Sequence, residues 1–312
     1  MYNRNDLTEL SRKINFNRDN VEKVVRLIDI LRFLNEAPLF RDSLVLKGGT
    51  AINLLIRPLT RLSVDIDLDY AINCTKEAMM VSRSEINRKL LARMEAEGYT
   101  VSPRSKSPLS LDSWMFQYLN SGGNRDYIKI EINYSMRSHL FDPVAMPAIS
   151  QMTEPFEVMT LNLVELYASK INALICRMAA RDLYDVDGMI ENRLISKELF
   201  AILRKAVVFY NKVGGTRDID SGHIINDIES IPFSTIKSDL LPMLHKGTFY
   251  DLPQVKNRVS EFISDLFVLT DSETVFINEF NDGRYSPELL FDDSEIIHRI
   301  KNHPMALWRT RS

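Results

Sequence analysis

A short turn in the sequence brings together residue types that can hold phosphate. An apolar run ends in Lys47, Gly48, Gly49 and Thr50 and leads into a segment of helical character. Glycine lets a backbone approach a phosphate closely, and the amides at a helix start carry partial positive charge. The turn therefore predicts a cradle for the phosphates of a nucleotide.

An acidic strand follows the turn, in which Asp65, Asp67 and Asp69 alternate with Ile66 and Leu68. Alternate side chains of a strand project to the same face, so the three carboxylates share one face. Asp is uncommon in strands, and no Lys or Arg is interleaved to offset the repulsion. Mg²⁺ with a substrate phosphate is the natural partner for such a face. The alternative is a solvated face of an antiparallel sheet.

A third acidic element lies later in the sequence, where Lys129, Glu131 and Asn133 share one face of a predicted strand. If this strand lies beside the acidic strand, Glu131 adds its carboxylate to those of Asp65 and Asp67. Three carboxylates on neighbouring strands suit a site with two metal ions that clamp the attacking and leaving oxygens of an in-line displacement. We therefore expect these three residues to be the metal ligands.

The elements that position these groups follow from hydrophobic periodicity and turn residues. In the first half they are a helix from Asn17 or Asp19 to about Pro38, a strand over 44–46, a helix over 51–56, a strand over 64–72, a helix over 75–97, and a hairpin of 111–119 with 127–134. A region with Pro143, Pro147 and Pro155 then breaks the pattern. Further helices are predicted over 161–180, 197–213, 260–269 and 294–301. We expect an α/β domain over 1–155 and a helical domain over 156–312.

The composition limits the class of protein. The 312 residues carry a net charge of −3, so any contact with nucleic acid requires a local basic patch. Cys74 and Cys176 lie far apart without metal-ligand spacing, and we expect both to be reduced. Residues 1–20 are too polar for a secretory signal, and no apolar stretch is long enough to span a bilayer. We expect a soluble, cytoplasmic protein with no membrane association.

The motifs together resemble the DNA polymerase β-like nucleotidyltransferase superfamily and are similar to its AbiEii/AbiGii abortive-infection toxin branch. The resemblance covers about residues 17–190 and rests on four motifs in order, at 46–51, 61–68, 165–173 and 181–185. It implies the nucleotidyltransferase fold, a mixed sheet with flanking helices. The superfamily usually has Gly-Ser where this chain has Gly48-Gly49-Thr50, so the hydroxyl that helps to hold phosphate falls to Thr50 or Ser63.

The resemblance also implies a reaction: Mg²⁺-dependent transfer of a nucleoside monophosphate from an NTP to an acceptor hydroxyl, with release of pyrophosphate. Asp65 and Asp67 would hold the metal ions, and Glu131 would be a ligand or the base for the acceptor hydroxyl. The family pattern requires only the first two aspartates of the acidic strand, so Asp69 is expected to be solvated. The triphosphate would be held by Lys47, Gly48, Gly49, Thr50 and Ser63.

A lysine motif in the second half completes the implied site. Lys170 lies in an otherwise apolar helix and, with Lys47, would neutralise charge on the leaving pyrophosphate. Asp182 and Asp185 share a helix face, and would order Lys170 or Arg181 or contact the nucleotide. The alternative for the two aspartates is a structural ion pair or a helix cap.

The resemblance implies a toxin that is restrained by a separately encoded antitoxin. We expect the acceptor to be the 3′ end of an RNA, specifically tRNA. A basic track for the RNA backbone would consist of Arg57, Arg61, Arg104, Lys106, Arg177 and Arg181. The competing interpretations are a small-molecule or protein acceptor, and a non-catalytic binding module that retains the fold.

Overall fold

The computed structural model describes residues 3–148, 151–215 and 217–311, and the chain is divided between two structural units. Unit 1 comprises Met1–Arg137, Pro143–Leu161 and Pro242–Gly247. Unit 2 comprises Ser138–Asp142, Asn162–Leu241 and Thr248–Ser312. The chain therefore passes between the units more than once, and the domain boundary expected near Pro155 lies within the second segment of unit 1.

A mixed seven-stranded sheet forms the centre of unit 1. Its strands are β1 Leu44–Lys47, β2 Asp65–Tyr70, β3 Thr100–Val101, β4 Leu111–Leu119, β5 Arg125–Asn133, β6 Val144–Pro147 and β7 Glu157–Thr160. The strand order is β3-β4-β5-β2-β1-β7-β6. Strand β2 lies at the middle, antiparallel to β1 and parallel to β5. The mixed sheet with flanking helices that the sequence predicts is confirmed.

The helices of unit 1 begin where capping residues predict. They are α1 Arg4–Lys13, α2 Arg18–Glu36, α3 Pro38–Arg41, α4 Gly48–Ala51, which continues as the π-helical turn Ile52–Ile56, and α5 Lys76–Ala96. Asn17 caps α2 by accepting a hydrogen bond of 2.9 Å from the Asp19 amide. Thr75 caps α5 in the same way through the Ala78 amide. Both predicted helix starts are therefore confirmed.

The predicted elements are most clearly wrong in the proline-containing region, where no strand was expected. Residues on either side of Pro155 form β6 and β7, an antiparallel pair in which Pro147 lies opposite Glu157. Proline is tolerated at the border of a sheet because its missing amide donor is not needed there, and β6 is an outermost strand. Each strand has only four residues. The prolines, which usually interrupt strands, therefore hide the short strand pattern in the sequence.

The described part of unit 2 contains helices and no strand. The helices are α6 Leu163–Arg177, α7 Ala180–Glu191, α8 Lys197–Gly214, α9 Ser221–Ser230, α10 Phe233–Thr235, which continues as the π-helical turn Ile236–Leu240, α11 Leu252–Leu266, α12 Asp271–Asn281, α13 Ser294–Ile300 and α14 Pro304–Arg309. The helix predicted over 260–269 is α11, which begins earlier because Asp251 caps it. The helices without a predicted counterpart are α1, α3, α9, α10, α12 and α14, and α7 was indicated only by the shared helix face of Asp182 and Asp185. Among the described residues, no helix has the length and apolar character needed to cross a membrane.

Candidate active site

The acidic face of unit 1 is built by the pairing of β2 with its two neighbours. Asp67 lies opposite Lys47 of β1 and opposite Glu131 of β5, and Asp65 lies opposite Lys129. Paired residues of adjacent strands project to the same side of a sheet, so these charged side chains share one face. Strand β5 lies directly beside β2. Glu131 can act together with Asp65 and Asp67 only in this arrangement.

The opposite face of the same strands explains why the carboxylates cannot turn inward. Ile66 and Leu68 of β2 and the three isoleucines of β5, Ile128, Ile130 and Ile132, are all buried. A shift of one residue in register would exchange these apolar side chains with the charged ones. The hydrophobic face therefore fixes the acidic face in place.

Lysines from the neighbouring positions supply positive charge to this face. Lys47 Nζ lies 2.5 Å from Asp69 Oδ1, and Lys129 Nζ lies 2.7 Å from Glu131 Oε2. Asp69 is only 4% exposed, so the expectation that it is solvated is wrong. Although β2 itself carries no lysine, the diagonal partner on β1 reaches Asp69. Asp69 therefore orients Lys47.

The first glycine of the turn is required by both its conformation and its surroundings. Gly48 has φ +70°, a left-handed conformation that favours glycine. A Cβ atom at this position would lie 2.5 Å from Asp67 Oδ2. The carboxylate of Asp67 therefore fills the space that a side chain at residue 48 would occupy, which places the predicted phosphate cradle beside the predicted metal ligand.

The second glycine makes room for a buried arginine. A Cβ atom at Gly49 would lie 2.5 Å from Arg61 Nη2 and 3.0 Å from Ser63 Oγ. Arg61 is 2% exposed, and its Nη1 donates a 2.9 Å hydrogen bond to the Leu62 carbonyl. A side chain this deeply buried cannot contact an RNA backbone, so the inclusion of Arg61 in the basic track is wrong. Arg61 instead packs against the turn from the inside.

The two candidate hydroxyl groups differ in their accessibility. Thr50 is buried, and its Oγ1 donates a 2.5 Å hydrogen bond to the Asp65 carbonyl. This bond fastens α4 to the start of β2. Asn53 supports the same turn, since its Nδ2 donates a 2.9 Å hydrogen bond to the Gly49 carbonyl. Ser63 is half-buried and is therefore the more accessible of the two hydroxyls.

The lysine motif forms a buried ionic cluster within unit 2. Lys170 of α6 is 5% exposed, and its Nζ lies 3.0 Å from Asp182 Oδ1 and 3.1 Å from Asp185 Oδ2 on α7. Arg177 Nε also lies 2.5 Å from Asp182 Oδ2. Asp182 and Asp185 therefore order Lys170, one of the arrangements that their spacing allows.

The cations of this cluster lower the pKa of Asp182. Burial alone would raise the pKa of Asp182, but the nearby cations Lys170 and Arg177 outweigh it and hold the pKa below its usual range. Asp182 is therefore ionised in the folded protein at neutral pH, as an anion that stabilises the buried ammonium of Lys170.

Glu165, the first residue of the lysine motif, has a structural role that its local sequence pattern does not specify. Its fully buried carboxylate accepts hydrogen bonds from the Leu140 and Phe141 amides and from the Tyr210 hydroxyl. Burial raises the pKa of this carboxyl group. Glu165 thereby attaches the 138–141 segment to α6. In the sequence, this role of Glu165 is indicated only by the presence of a charged residue in an otherwise apolar helical segment.

The donor set of the acidic face fits Mg²⁺ in one particular mode. Among residues 3–148, 151–215 and 217–311, no three His, Cys, Asp or Glu side chains converge closely enough to hold a metal ion. Mg²⁺ usually takes one or two carboxylates, with substrate phosphates and water as its other ligands. Asp65 and Asp67 can supply two hard oxygen ligands in this mode, whereas Glu131 is ion-paired with Lys129.

The remaining basic candidates differ in exposure. Arg104 and Lys106 are exposed, and the Arg104 guanidinium lies 5.7 Å from the centroid of the Tyr127 ring. Arg57 is half-buried. Arg177 is exposed but ion-paired with Asp182. In unit 1, Arg104 and Lys106 are thus the members of the predicted track that solvent reaches most readily.

Comparison with known proteins identifies the family whose pattern this chain follows. The family model described as "Nucleotidyl transferase AbiEii toxin, Type IV TA system" matches residues 32–275. No protein with a curated description matches the chain significantly. Among solved structures, the chain is similar to MenT4, a nucleotidyltransferase toxin from Mycobacterium tuberculosis H37Rv, with 16% identity and a TM-score of 0.62 over 98% of this chain and 99% of that one. It is also similar to a protein from H. pylori assigned as a nucleotidyltransferase, with 18% identity and a TM-score of 0.51 over 80% and 96% of the two chains.

Proposed function

Because this chain belongs to the AbiEii family of nucleotidyltransferase toxins in type IV toxin–antitoxin systems, we propose that it transfers a nucleoside monophosphate from an NTP to the 3′ end of a tRNA. The observation that supports this most directly is the position of the Asp67 carboxylate, which fills the space beside Gly48 that a Cβ atom would occupy. A phosphate held by the turn lies within reach of a metal ligand on β2. The expected product is pyrophosphate.

In this proposal the acidic face handles the reacting phosphate. Asp65 and Asp67 would hold Mg²⁺ together with the triphosphate. When bound, the metal ion offsets the negative charge of the phosphates and lowers the barrier to in-line displacement. Glu131 acts as a third ligand or accepts the proton of the acceptor hydroxyl. Its ion pair with Lys129, at 2.7 Å, holds the Glu131 carboxylate at the acidic face.

The triphosphate tail is assigned to the turn and its neighbours. The Gly48 and Gly49 backbone, the Ser63 hydroxyl and the Lys47 ammonium hold its oxygens, while Thr50 fixes the turn to β2. Asp69 keeps the Lys47 ammonium at the acidic face. Charge that develops on the leaving pyrophosphate is stabilised by such a preoriented cation.

The roles of the unit 2 cluster rest on the family motif rather than on distances to the turn. Lys170 is assigned to the leaving pyrophosphate, and Asp182 and Asp185 hold its ammonium in one position. Arginine would replace this lysine poorly, because its planar fork does not fit a compact site that holds a point charge.

The partner and the acceptor follow from the same family. An antitoxin protein encoded separately would restrain the enzyme, and modification of the tRNA 3′ end would block translation. The exposed Arg104 and Lys106 support an RNA acceptor, since solvent-facing cations bind phosphate backbones and such binding weakens with salt. The same two residues would then contribute to affinity for RNA and leave the chemistry unchanged.

The acceptor is tested by incubating the protein with Mg²⁺, total RNA and each NTP labelled at its α-phosphate, and then resolving the products by size. Label at tRNA length supports the proposal, and label only in small molecules or in protein would contradict the RNA acceptor. Exchange of Arg104 and Lys106 for Gln should raise the KM for RNA. The matched control is the exchange of Arg88 and Lys89, an exposed basic pair on α5, for Gln.

A further inference from the structure

A polar cavity of about 380 Å³ lies within unit 2, at the C-terminal end of α8. This volume is in the range of small-ligand sites. Its wall includes three cations, Lys212, Arg217 and Arg309, two amides, Asn211 and Asn281, and one carboxylate, Asp218. None of these residues belongs to the motifs assigned to the transfer reaction, so the cavity needs its own explanation.

Lys212 places a nearly buried ammonium in the wall. The residue is 6% exposed, and its Nζ donates hydrogen bonds of 3.0 Å to Asn281 Oδ1 and 3.2 Å to Asp218 Oδ1. An ammonium has three donors, and within the described residues the third has no protein acceptor. The Asp218 side chain is 92% exposed, so water largely screens its charge. Lys212 is therefore only partly neutralised by the protein.

Arg309 adds a second incompletely satisfied cation. Its Nε is shielded from solvent and has no hydrogen-bond partner in the part of the chain that the structure describes. Because solvent does not reach Nε, a ligand phosphate would bind through the Nη groups of this half-buried guanidinium. Arg217 differs, because its guanidinium is already held by Asp227 at 2.6 Å and by the Ile175 carbonyl at 3.1 Å.

Stabilisation of helix ends explains these cations only in part. Lys212 and Arg309 lie in the last turns of α8 and α14, where cations interact favourably with the helix dipole. That interaction is satisfied by an exposed side chain and does not require burial of Nε. The convergence of two partly satisfied cations on one cavity, opposed by a single exposed carboxylate, favours an anionic ligand.

We propose that this cavity binds a phosphate group, held by the Arg309 guanidinium and the Lys212 ammonium. Arginine presents paired donors that match two phosphate oxygens, and Lys212 supplies its remaining donor. The Asn281 amide nitrogen provides a further donor, since its oxygen is occupied by Lys212. The phosphate comes from a free nucleotide or from a nucleic-acid backbone. This binding is independent of the proposed transfer reaction.

Tryptophan fluorescence of the full chain tests the proposal. The sequence has two tryptophans, so Trp114→Phe leaves Trp308, the neighbour of Arg309, as the only reporter. The protein is titrated in metal-free buffer with AMP and, separately, with a short oligouridylate. We expect a saturable change, with half-saturation raised at least about tenfold by Arg309→Gln and by Lys212→Met. Arg311→Gln removes an exposed charge from the same end of the chain and should leave binding unchanged.

The two probes distinguish the sources of the phosphate. Similar half-saturation for AMP and oligouridylate identifies a free-nucleotide site, whereas much tighter binding of oligouridylate that weakens with salt identifies a backbone site. Both outcomes support the proposal when Arg309→Gln and Lys212→Met weaken binding. The absence of saturable binding to either probe, or wild-type binding by both folded variants, would overturn it.

Discussion

At Gly48, a missing side chain serves two purposes that can be separated by experiment. The residue adopts φ +70° and contacts the Asp67 carboxylate. Gly123, in the β4–β5 turn, has φ +82° but has no atom within 4 Å of its missing Cβ. The two glycines share the strain that a side chain would cause, and only Gly48 adds a close contact with a residue of the acidic face.

We therefore expect Gly48→Ala to abolish nucleotide transfer and Gly123→Ala to retain it. Both variants should lose about 1–2 kcal/mol of unfolding free energy from backbone strain, and Gly48→Ala should lose more because its Cβ displaces Asp67. Urea unfolding and transfer of label from NTP measure the two effects. Equal activity in the two variants would show that the turn does not position Asp67.

The ion pair between Lys47 and Asp69 supports a second prediction at this scale. Asp69 is buried and its Oδ1 lies 2.5 Å from the Lys47 ammonium, so Asp69→Asn leaves the lysine without its orienting charge. We expect a loss of about 1–3 kcal/mol in unfolding free energy and reduced transfer. Asp42→Asn, which breaks an exposed pair with Arg41, should change stability by less than about 0.5 kcal/mol. Wild-type stability of Asp69→Asn would mean that the aspartate is solvated after all.

The contact between α6 and α7 depends on a buried cation and its two carboxylates. Lys170→Met removes the cation shared by Asp182 and Asp185, and we expect it to cost about 3–5 kcal/mol. Loss of activity in this variant would then reflect unfolding as well as chemistry. A triple variant, Lys170→Met with Asp182→Asn and Asp185→Asn, should recover most of the stability, since no buried charge lacks its partner.

The triple variant separates structure from catalysis. If Lys170 neutralises the leaving pyrophosphate, the stable triple variant remains inactive in label transfer. Recovery of both stability and activity would show that Lys170 has only a structural role. Circular dichroism and urea unfolding establish that the variant is folded before its activity is measured.

The same contact predicts a dependence of stability on pH. The pKa of Asp182 is lower in the folded protein than its ordinary value of 3.8, so the folded state binds fewer protons there and gains stability above that pH. The gain is lost as pH falls through the folded pKa. Urea unfolding from pH 7 to about pH 3 should show that the difference between wild type and Asp182→Asn is constant above pH 3.8 and shrinks below it. If the difference in unfolding free energy grew towards low pH, the pKa of Asp182 could not be lowered in the folded protein.

At the level of elements, local signals located the strands that carry the candidate site more accurately than they located the neighbouring elements. Alternation of Asp with Ile and Leu identified β2, and the hairpin signal identified β4 and β5. The diagonal contact of Lys47 with Asp69 depends on how β1 and β2 pair, which no local pattern specifies. The burial of Arg61 was equally hidden, since arginine is rarely fully buried. The strands β6 and β7 were missed because prolines dominate their short sequence.

For the whole molecule, the family was predicted from four motifs, and the match over residues 32–275 confirms it. The motifs lie in different units: the glycine turn and acidic strand in unit 1, and the lysine motif in unit 2. Sequence order alone could not show that the chain alternates between the units at residues 138–142 and 242–247. Such alternation depends on packing between residues that are distant in sequence.

We propose that the acidic face beside the glycine turn performs nucleotidyl transfer. The most direct test compares wild type, Asp67→Asn and Asp126→Asn for transfer of label from NTP into RNA. Asp126 lies on β5 and pairs with Lys23 at 2.7 Å, away from the glycine turn in register, so its variant controls for loss of a carboxylate in the same sheet. We predict a fall of at least about a hundredfold for Asp67→Asn and near-wild-type transfer for Asp126→Asn. Wild-type transfer by folded Asp67→Asn would contradict a role of the acidic face in the reaction.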